Sequence, residues 1–296
     1  MILSMTGFGR ATSSSAQYKF TVDIKSLNSK QLDLMMRVPS AFREAELDAR
    51  SIVAARLERG KVDLTAQCEH AGDVPPVRLN TDVLQSYKRQ LEEVGTKLDI
   101  GVPDDWYSTL LRLPEVMKTD VAALDKTDIE AFLSAVSAAA DALVKFRIDE
   151  GKKLYAFFIA KIDAISSLLE KVEPYEQERI PKIRARLEDQ LSRLRSIEYD
   201  AGRLEQELVF YIEKLDVTEE KTRLRAHINY FLETLGRADG PVPEKGIGKK
   251  LSFIAQEMGR EINTLGSKST HHEMQKIVVM MKDELEQIKE QVLNVL

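Results

Sequence analysis

Through the first eighty residues, hydrophobic positions alternate with a period close to two. After that the spacing becomes helical and stays so. In "QYKFTVDIKSL" (17–27), Tyr18, Phe20, Val22 and Ile24 fall on one face. "KQLDLMMRV" (30–38) and "KVDLTAQCEH" (61–70) repeat the alternation, so three strands are predicted. Between the last two, residues 40–60 open after Pro39 and stop at Gly60, the start and stop signals of a helix. "VRLN" (77–80) predicts a short strand, with Asn80 or Thr81 capping a helix that begins at Asp82. These elements make an α+β domain with antiparallel strands.

Helical spacing holds from about residue 103. Pro103-Asp104-Asp105 opens a short helix that ends by Pro114, and residues 127–172 predict a long helix with a break near Gly151. Pro174 and Pro181 punctuate the next helix, and residues 200–237 follow, with a break expected at "DVTEE". The Gly- and Pro-rich stretch 238–248 is the clearest loop, and a helix from about Lys249 to Leu265 comes after it. The last helix starts near Ser269 or Thr270. Its apolar residues Met274, Val278, Met281, Leu285, Ile288, Val292 and Val295 form a heptad seam, which suits packing within the chain or a subunit contact. The expected organisation is an α+β N-terminal domain over 1–100, a long-helix arm over 101–198, and a helical C-terminal domain over 199–296.

Composition narrows the classes. The chain has 296 residues, 43% of them hydrophobic and 31% charged, which suits long amphipathic helices. The single Cys68 excludes an intramolecular disulfide framework and a cysteine-based zinc site. Neither a secretory leader nor a run of about 18 apolar residues is present, so a cytoplasmic protein with no membrane span is expected. The net charge is −5. Residues 1–70 hold ten Lys or Arg against eight Asp or Glu, and the remainder is net acidic, so any nucleic-acid site must be a local groove. "LGSKST" lacks the Gly-Lys-Ser/Thr core, "GIGKK" has Pro243 in place of the first glycine, and neither follows a strand. No nucleotide cofactor is expected.

Two helical stretches carry candidate chemistry. Glu213, Asp216, Glu220, Arg223 and His227 step by three, four, three and four, and share one face if the helix is continuous. Carboxylates in such a row suit a divalent cation, with Arg and His beside them for phosphate and proton. The alternative is that Asp216 caps a new helix, with Glu219 as its capping-box partner. In the second stretch, Gln256, Arg260, Asn263 and Ser267 step by four, three and four, beside Glu257 and Glu261. Leu251, Ile254, Met258, Ile262 and Leu265 form the row expected to be buried. Gln, Arg and Asn offer fixed donors to phosphate or base edges; a buried hydrogen-bond network between helices would use the same residues. Near the N-terminus, Arg10, Asn28, Lys30 and Arg37 suit RNA phosphates, with Phe8 stacking a base, or else belong to a bulged strand with a packed Phe.

"MILSMTGFGRA", "SLNSKQLDL", "FREAE" and "RGKVD", together with "RLEQELVFYIEKLDVTEEKTRLRAH" and "GKKLSFIAQEMGREINTLGSKS", resemble the two ends of the YicC-like family of bacterial endoribonucleases. Residues 71–195 are similar only in helical character, and Gln31 stands where many members have an aromatic. The resemblance implies a metal-dependent endoribonuclease acting on single-stranded or structured RNA, and a homo-oligomer, a hexamer, enclosing RNA in a channel. The site expected here places Asp216, Glu220, Glu257 and Glu261 around Mg²⁺ or Mn²⁺. His227 is the proton shuttle, with Glu257 beside it, and Arg223 and Arg260 hold the scissile phosphate. Arg10, Asn28, Lys30, Arg37, Gln256, Asn263 and Lys268 guide RNA. Two other classes fit the same residues. One is a non-catalytic RNA-binding adaptor that delivers RNA to another nuclease. The other is a helical scaffold whose polar faces are assembly contacts.

Overall fold

The computed structural model describes the chain except residues 58, 71–77, 119–124, 194–200, 241–245 and 270; at 78, 118, 179–180, 187, 190–193, 201–204 and 207–208 it describes the backbone alone. Pro243, the heart of the loop expected over 238–248, the Thr270 start of the last helix and the side chain of Leu208 lie outside the described residues. The fold is α+β. A four-stranded sheet is built from β1 (Gly7–Ser14), β2 (Tyr18–Leu27), β3 (Leu32–Arg37) and β4 (Gly60–His70), in the order β1-β2-β4-β3.

The expectation of wholly antiparallel strands needs correction. β3 and β4 pair parallel, with Leu32 opposite Gly60 and Arg37 opposite Thr65. The cause is the segment between them. A 3₁₀ turn (Ser40–Ala45) and α1 (Glu46–Arg56) return the chain to the starting end, the crossover that parallel pairing requires. β2 buries every second residue, so Tyr18, Phe20, Val22 and Ile24 face the core as their spacing requires. Outside this sheet, β5 (Arg78–Leu79) and β6 (Met117–Lys118) form an antiparallel pair; α2 (Thr81–Leu98) is capped by Asn80 and α3 (Trp106–Leu110) by Asp105.

The remaining helices are α4 (Lys126–Glu170), α5 (Glu173–Arg193), α6 (Ala201–Leu215), α7 (Thr218–Leu235), α8 (Ile247–Lys268) and α9 (His272–Val292). α4 runs unbroken through Gly151, where the sequence suggested a break. A Cβ at Gly151 would lie 2.0 Å from the carbonyl oxygen of Ile2, so this glycine serves a close backbone approach and leaves the helix intact.

The chain forms two compact units. One comprises residues 8–25 and 31–143, with a core of Phe20, Phe42 and Phe132 beneath Tyr18. The rings of Phe20 and Phe42 meet edge to face at 4.9 Å. The other comprises residues 1–7, 26–30 and 144–296. Its core joins Phe158, Ile162 and Ile165 of α4 to the apolar rows of α7, α8 and α9. The α9 seam is buried in that core, from Met274 to Val295, which answers the seam's alternatives in favour of packing within the chain. Both chain ends belong to the same unit. Ser4 bridges to Val295, and the Leu296 N–H donates to the Leu3 carbonyl at 2.9 Å.

Candidate functional site

α7 and α8 pack as a helical hairpin, joined through the segment around Gly246. Leu224, Ile228, Phe231 and Leu235 on one helix, and Leu251, Ile254, Met258, Ile262 and Leu265 on the other, are buried between them and their neighbours. Gln256, Arg260 and Asn263 of α8 and Arg223 of α7 therefore lie on the faces left over, whereas Glu220 is buried.

The helix is not continuous through Asp216. α6 ends at Leu215 and α7 begins at Thr218. Oδ1 of Asp216 accepts hydrogen bonds from the Thr218 N–H at 3.0 Å and from the Thr218 hydroxyl at 2.7 Å. The hydroxyl bond first, then the backbone bond, holds the Asp216 carboxyl below its ordinary carboxylate range. The break that the capping alternative implied is present, but the N-cap is Val217, which makes no side-chain cap bond. Asp216, one residue before it, holds Thr218, and Glu219 pairs with Arg223 and does not close a capping box. Glu213 belongs to the preceding helix and does not continue the row.

Three of the expected residues come together at this end of the hairpin. Nζ of Lys268, on the last turn of α8, lies 2.7 Å from Oε1 of Glu220 and donates to the backbone carbonyl of Asp216 at 2.9 Å. Glu220 is buried, and its second oxygen has no hydrogen-bond partner. Next to it, the buried Lys221 pairs with Glu176 of α5. Lys268 was expected to guide RNA; here it ties the end of α8 to the start of α7.

Further along, Arg223 pairs with Glu219 one turn away, and Arg260 pairs with Glu257 at 2.8 Å. Both arginines are largely exposed, and both pairs lie within one helix. Such pairs hold by only ~0.3–0.5 kcal/mol, whereas a hydrogen bond to a charged group contributes about 1.5–3 kcal/mol. A phosphate can therefore recruit either guanidinium without disturbing the fold. His227 is partly buried in mid-α7 and makes no hydrogen bond or ion pair with another of these residues. Gln256 and Asn263 are exposed on α8, and Glu261 is partly buried.

The N-terminal candidates are divided between the units. In one, Arg10 makes a two-pronged contact with Asp23 at 2.5 and 2.7 Å and stands over the Phe8 ring, and Arg37 approaches Asp63 at 3.6 Å. In the other, Asn28 donates to the Leu293 carbonyl at 2.8 Å, and Lys30 is exposed. Phe8 is itself partly open to solvent. Gly9 beside it lets the strand press on α4, because a Cβ there would sit 2.1 Å from the Ala139 carbonyl oxygen.

The fit of a divalent cation can be tested on these contacts. Oδ1 of Asp216 is held by Thr218 and Oε1 of Glu220 by Lys268, while Glu257 has only its weak contact with Arg260 and Glu261 is partly buried. Among the described residues no three His, Cys, Asp or Glu side chains converge as a metal site would need. As placed in the single chain, the four carboxylates do not fit a shared ion.

Two family models match almost end to end: "Endoribonuclease YicC-like, N-terminal region" over residues 2–156, and "Endoribonuclease YicC-like, C-terminal" over residues 172–296. The chain belongs to the YicC-like family. It is 34% identical over 303 residues to a protein of Clostridioides difficile named probable endoribonuclease YicC, with the whole of both chains covered. It is 28% identical over 302 residues to a protein of the same name from Haemophilus influenzae, with 99% of each covered. The C-terminal match contains the whole α7–α8 hairpin, and the N-terminal match contains the sheet. No helix among the described residues is long and apolar enough to cross a membrane.

One residue of the α8 face escaped the sequence reading. Phe253 continues the Gln256–Arg260–Asn263 row by a step of three, yet it is 62% exposed. Its hydrophobicity concealed it. The signal was its position, because Phe253 is out of phase with Leu251, Ile254 and Met258.

Proposed function

We propose that this protein is an endoribonuclease that cuts internal phosphodiester bonds of RNA in the cytoplasm, for RNA decay or processing. The observation that carries the proposal is the two-part family match along nearly the whole chain, together with two relatives matched over their full length and named probable endoribonucleases. On the α7–α8 hairpin, Arg223 and Arg260 take the scissile phosphate by leaving their weak intrahelical partners. Glu257, released from Arg260, and His227 serve as the proton-handling pair. Gln256 and Asn263 orient the strand, with Arg10, Arg37, Asn28 and Lys30 as further RNA contacts. Dependence on Mg²⁺ or Mn²⁺ and assembly into a hexamer belong to the same proposal. Asp216 and Glu220 are already engaged with Thr218 and Lys268, so the phosphate and the proton fall to Arg223, Arg260, Glu257 and His227.

The test is cleavage of an end-labelled structured RNA by highly purified protein, with Mn²⁺, with Mg²⁺ and with EDTA, beside Glu257→Gln and His227→Ala, with solution mass measured in parallel. Loss of proton transfer should slow cutting by roughly 10²–10⁴-fold. Full cleavage by both folded variants would remove these residues from the chemistry. Binding without cutting, in every metal condition, would favour the second reading, an adaptor that delivers RNA to another nuclease. The lack of converging carboxylates among the described residues is the observation on that reading's side.

A further inference from the structure

The N-terminal half of α8 carries three exposed residues with no role in the chemistry above, Lys249, Lys250 and Phe253, beside Gln256 and Arg260. Lys249, Phe253, Gln256 and Arg260 lie on one stripe at steps of four, three and four, with Lys250 alongside, and all five are exposed. Phe253 makes no ring contact with another aromatic among the described residues. Lys250 is positioned, because its Nζ lies 4.8 Å from the centre of the Tyr230 ring of α7. That cation–π contact joins the two helices and fixes a side chain that would otherwise sample many rotamers. Tyr230 is itself 44% exposed.

Burying a Phe side chain contributes about 1.5–3 kcal/mol, yet Phe253 forgoes that within its own chain. Two occupants could cover the ring. A second protein surface is disfavoured by its neighbours, since lysines flank Phe253 at three and four residues' distance and lysine is depleted from interface cores. A nucleic-acid strand suits the same set. An open aromatic face stacks a base of any identity, ammonium groups beside it meet the flanking phosphates, and an amide one turn on reaches a base edge.

We propose that Phe253 is a stacking platform for one unpaired base of the RNA. Lys249 and the Tyr230-braced Lys250 hold the adjoining phosphates, and Gln256 contacts the base edge. The site rests on the endoribonuclease reading and deepens it, because it selects single-stranded segments. A base inside a duplex has no free face to offer.

The test measures fluorescence anisotropy of a labelled 12-nucleotide oligoadenylate and of a blunt RNA duplex of equal length, in EDTA so that binding is read without cutting. Phe253→Ala should weaken the single strand about 5- to 100-fold and leave the duplex unchanged. Phe253→Trp should restore affinity and show indole quenching on adding oligoadenylate, beyond that of the wild type, whose one tryptophan is Trp106. Lys249→Ala and Lys250→Ala should each flatten the salt dependence by roughly 0.7 per charge removed. Unchanged single-strand affinity in Phe253→Ala, while the wild type binds and cuts RNA, would overturn the platform alone. Equal losses on strand and duplex, with a fall in solution mass, would overturn it in favour of a contact between copies. A wild type that cuts RNA yet does not bind oligoadenylate would overturn this site alone, and one that neither binds these RNAs nor cuts RNA in any metal condition would overturn both this site and the endoribonuclease reading.

Discussion

Replacing Lys268 by Met removes the cation that holds the buried Glu220 carboxylate. In the folded chain, Nζ lies 2.7 Å from Oε1 of Glu220; 7% of the Glu220 side chain is exposed against 29% for Lys268. The same ammonium donates to the Asp216 carbonyl, so two attachments at the start of α7 are lost together. Breaking a buried pair from one side costs about 3–5 kcal/mol when the remaining charge cannot reach water. Lys268 is partly open, which lets solvent replace some of the contact, so ~2–3 kcal/mol is expected. At ~2–4 °C per kcal/mol for a unit of this size, the melting temperature should fall by roughly 5–10 °C. Urea and thermal melts followed by circular dichroism at 222 nm would read it. Glu220→Gln should cost less, because Lys268 can turn to solvent. The double variant should then be less destabilised than the two single variants added, with a coupling of about 1 kcal/mol or more. If Lys268→Met melts like the wild type while its RNA affinity drops, Lys268 serves RNA and the hairpin-closing account fails.

Gly151→Ala should destabilise by about 1–2 kcal/mol net, despite the better helix propensity of alanine, because the new Cβ meets the Ile2 carbonyl and not a flexible side chain; a stabilised variant in urea melts would contradict the packing argument. Thr218→Val should cost about 0.5–1.5 kcal/mol and raise the Asp216 titration followed by NMR. Asp216 is depressed, so its contribution is complete above the unfolded carboxylate pKa and disappears as pH falls through the lower folded value; that acid limb should shrink in the variant. Burial, followed by the charges of Asp128 and Glu69, pushes the Cys68 thiol up to about 11. Its alkylation should therefore be slow at pH 8 and climb toward pH 11, and Asp128→Asn should bring the rise to lower pH; fast reaction at pH 8 in the folded protein would refute the burial account.

Periodicity alone determined many of the elements, because β2, β4, α8 and α9 each bury one face and leave the other wet. The alternation over 17–27, the buried row from Leu251 to Leu265 and the α9 seam were legible for that reason. So was the polar α8 row of Gln256, Arg260 and Asn263, since whatever is out of phase with a buried row must face outward. Tertiary structure decided what depends on elements distant in the chain. It made β3 and β4 parallel, because pairing direction follows from where a connection returns. It kept α4 whole at Gly151, because only the arrival of Ile2 gives that glycine its purpose. It set Lys268 on Glu220, 48 residues away, a contact that spacing along either helix does not foretell. Local spacing reports which face of a helix a residue occupies. What stands across from that face is set by packing, and packing also left Phe253 in the open.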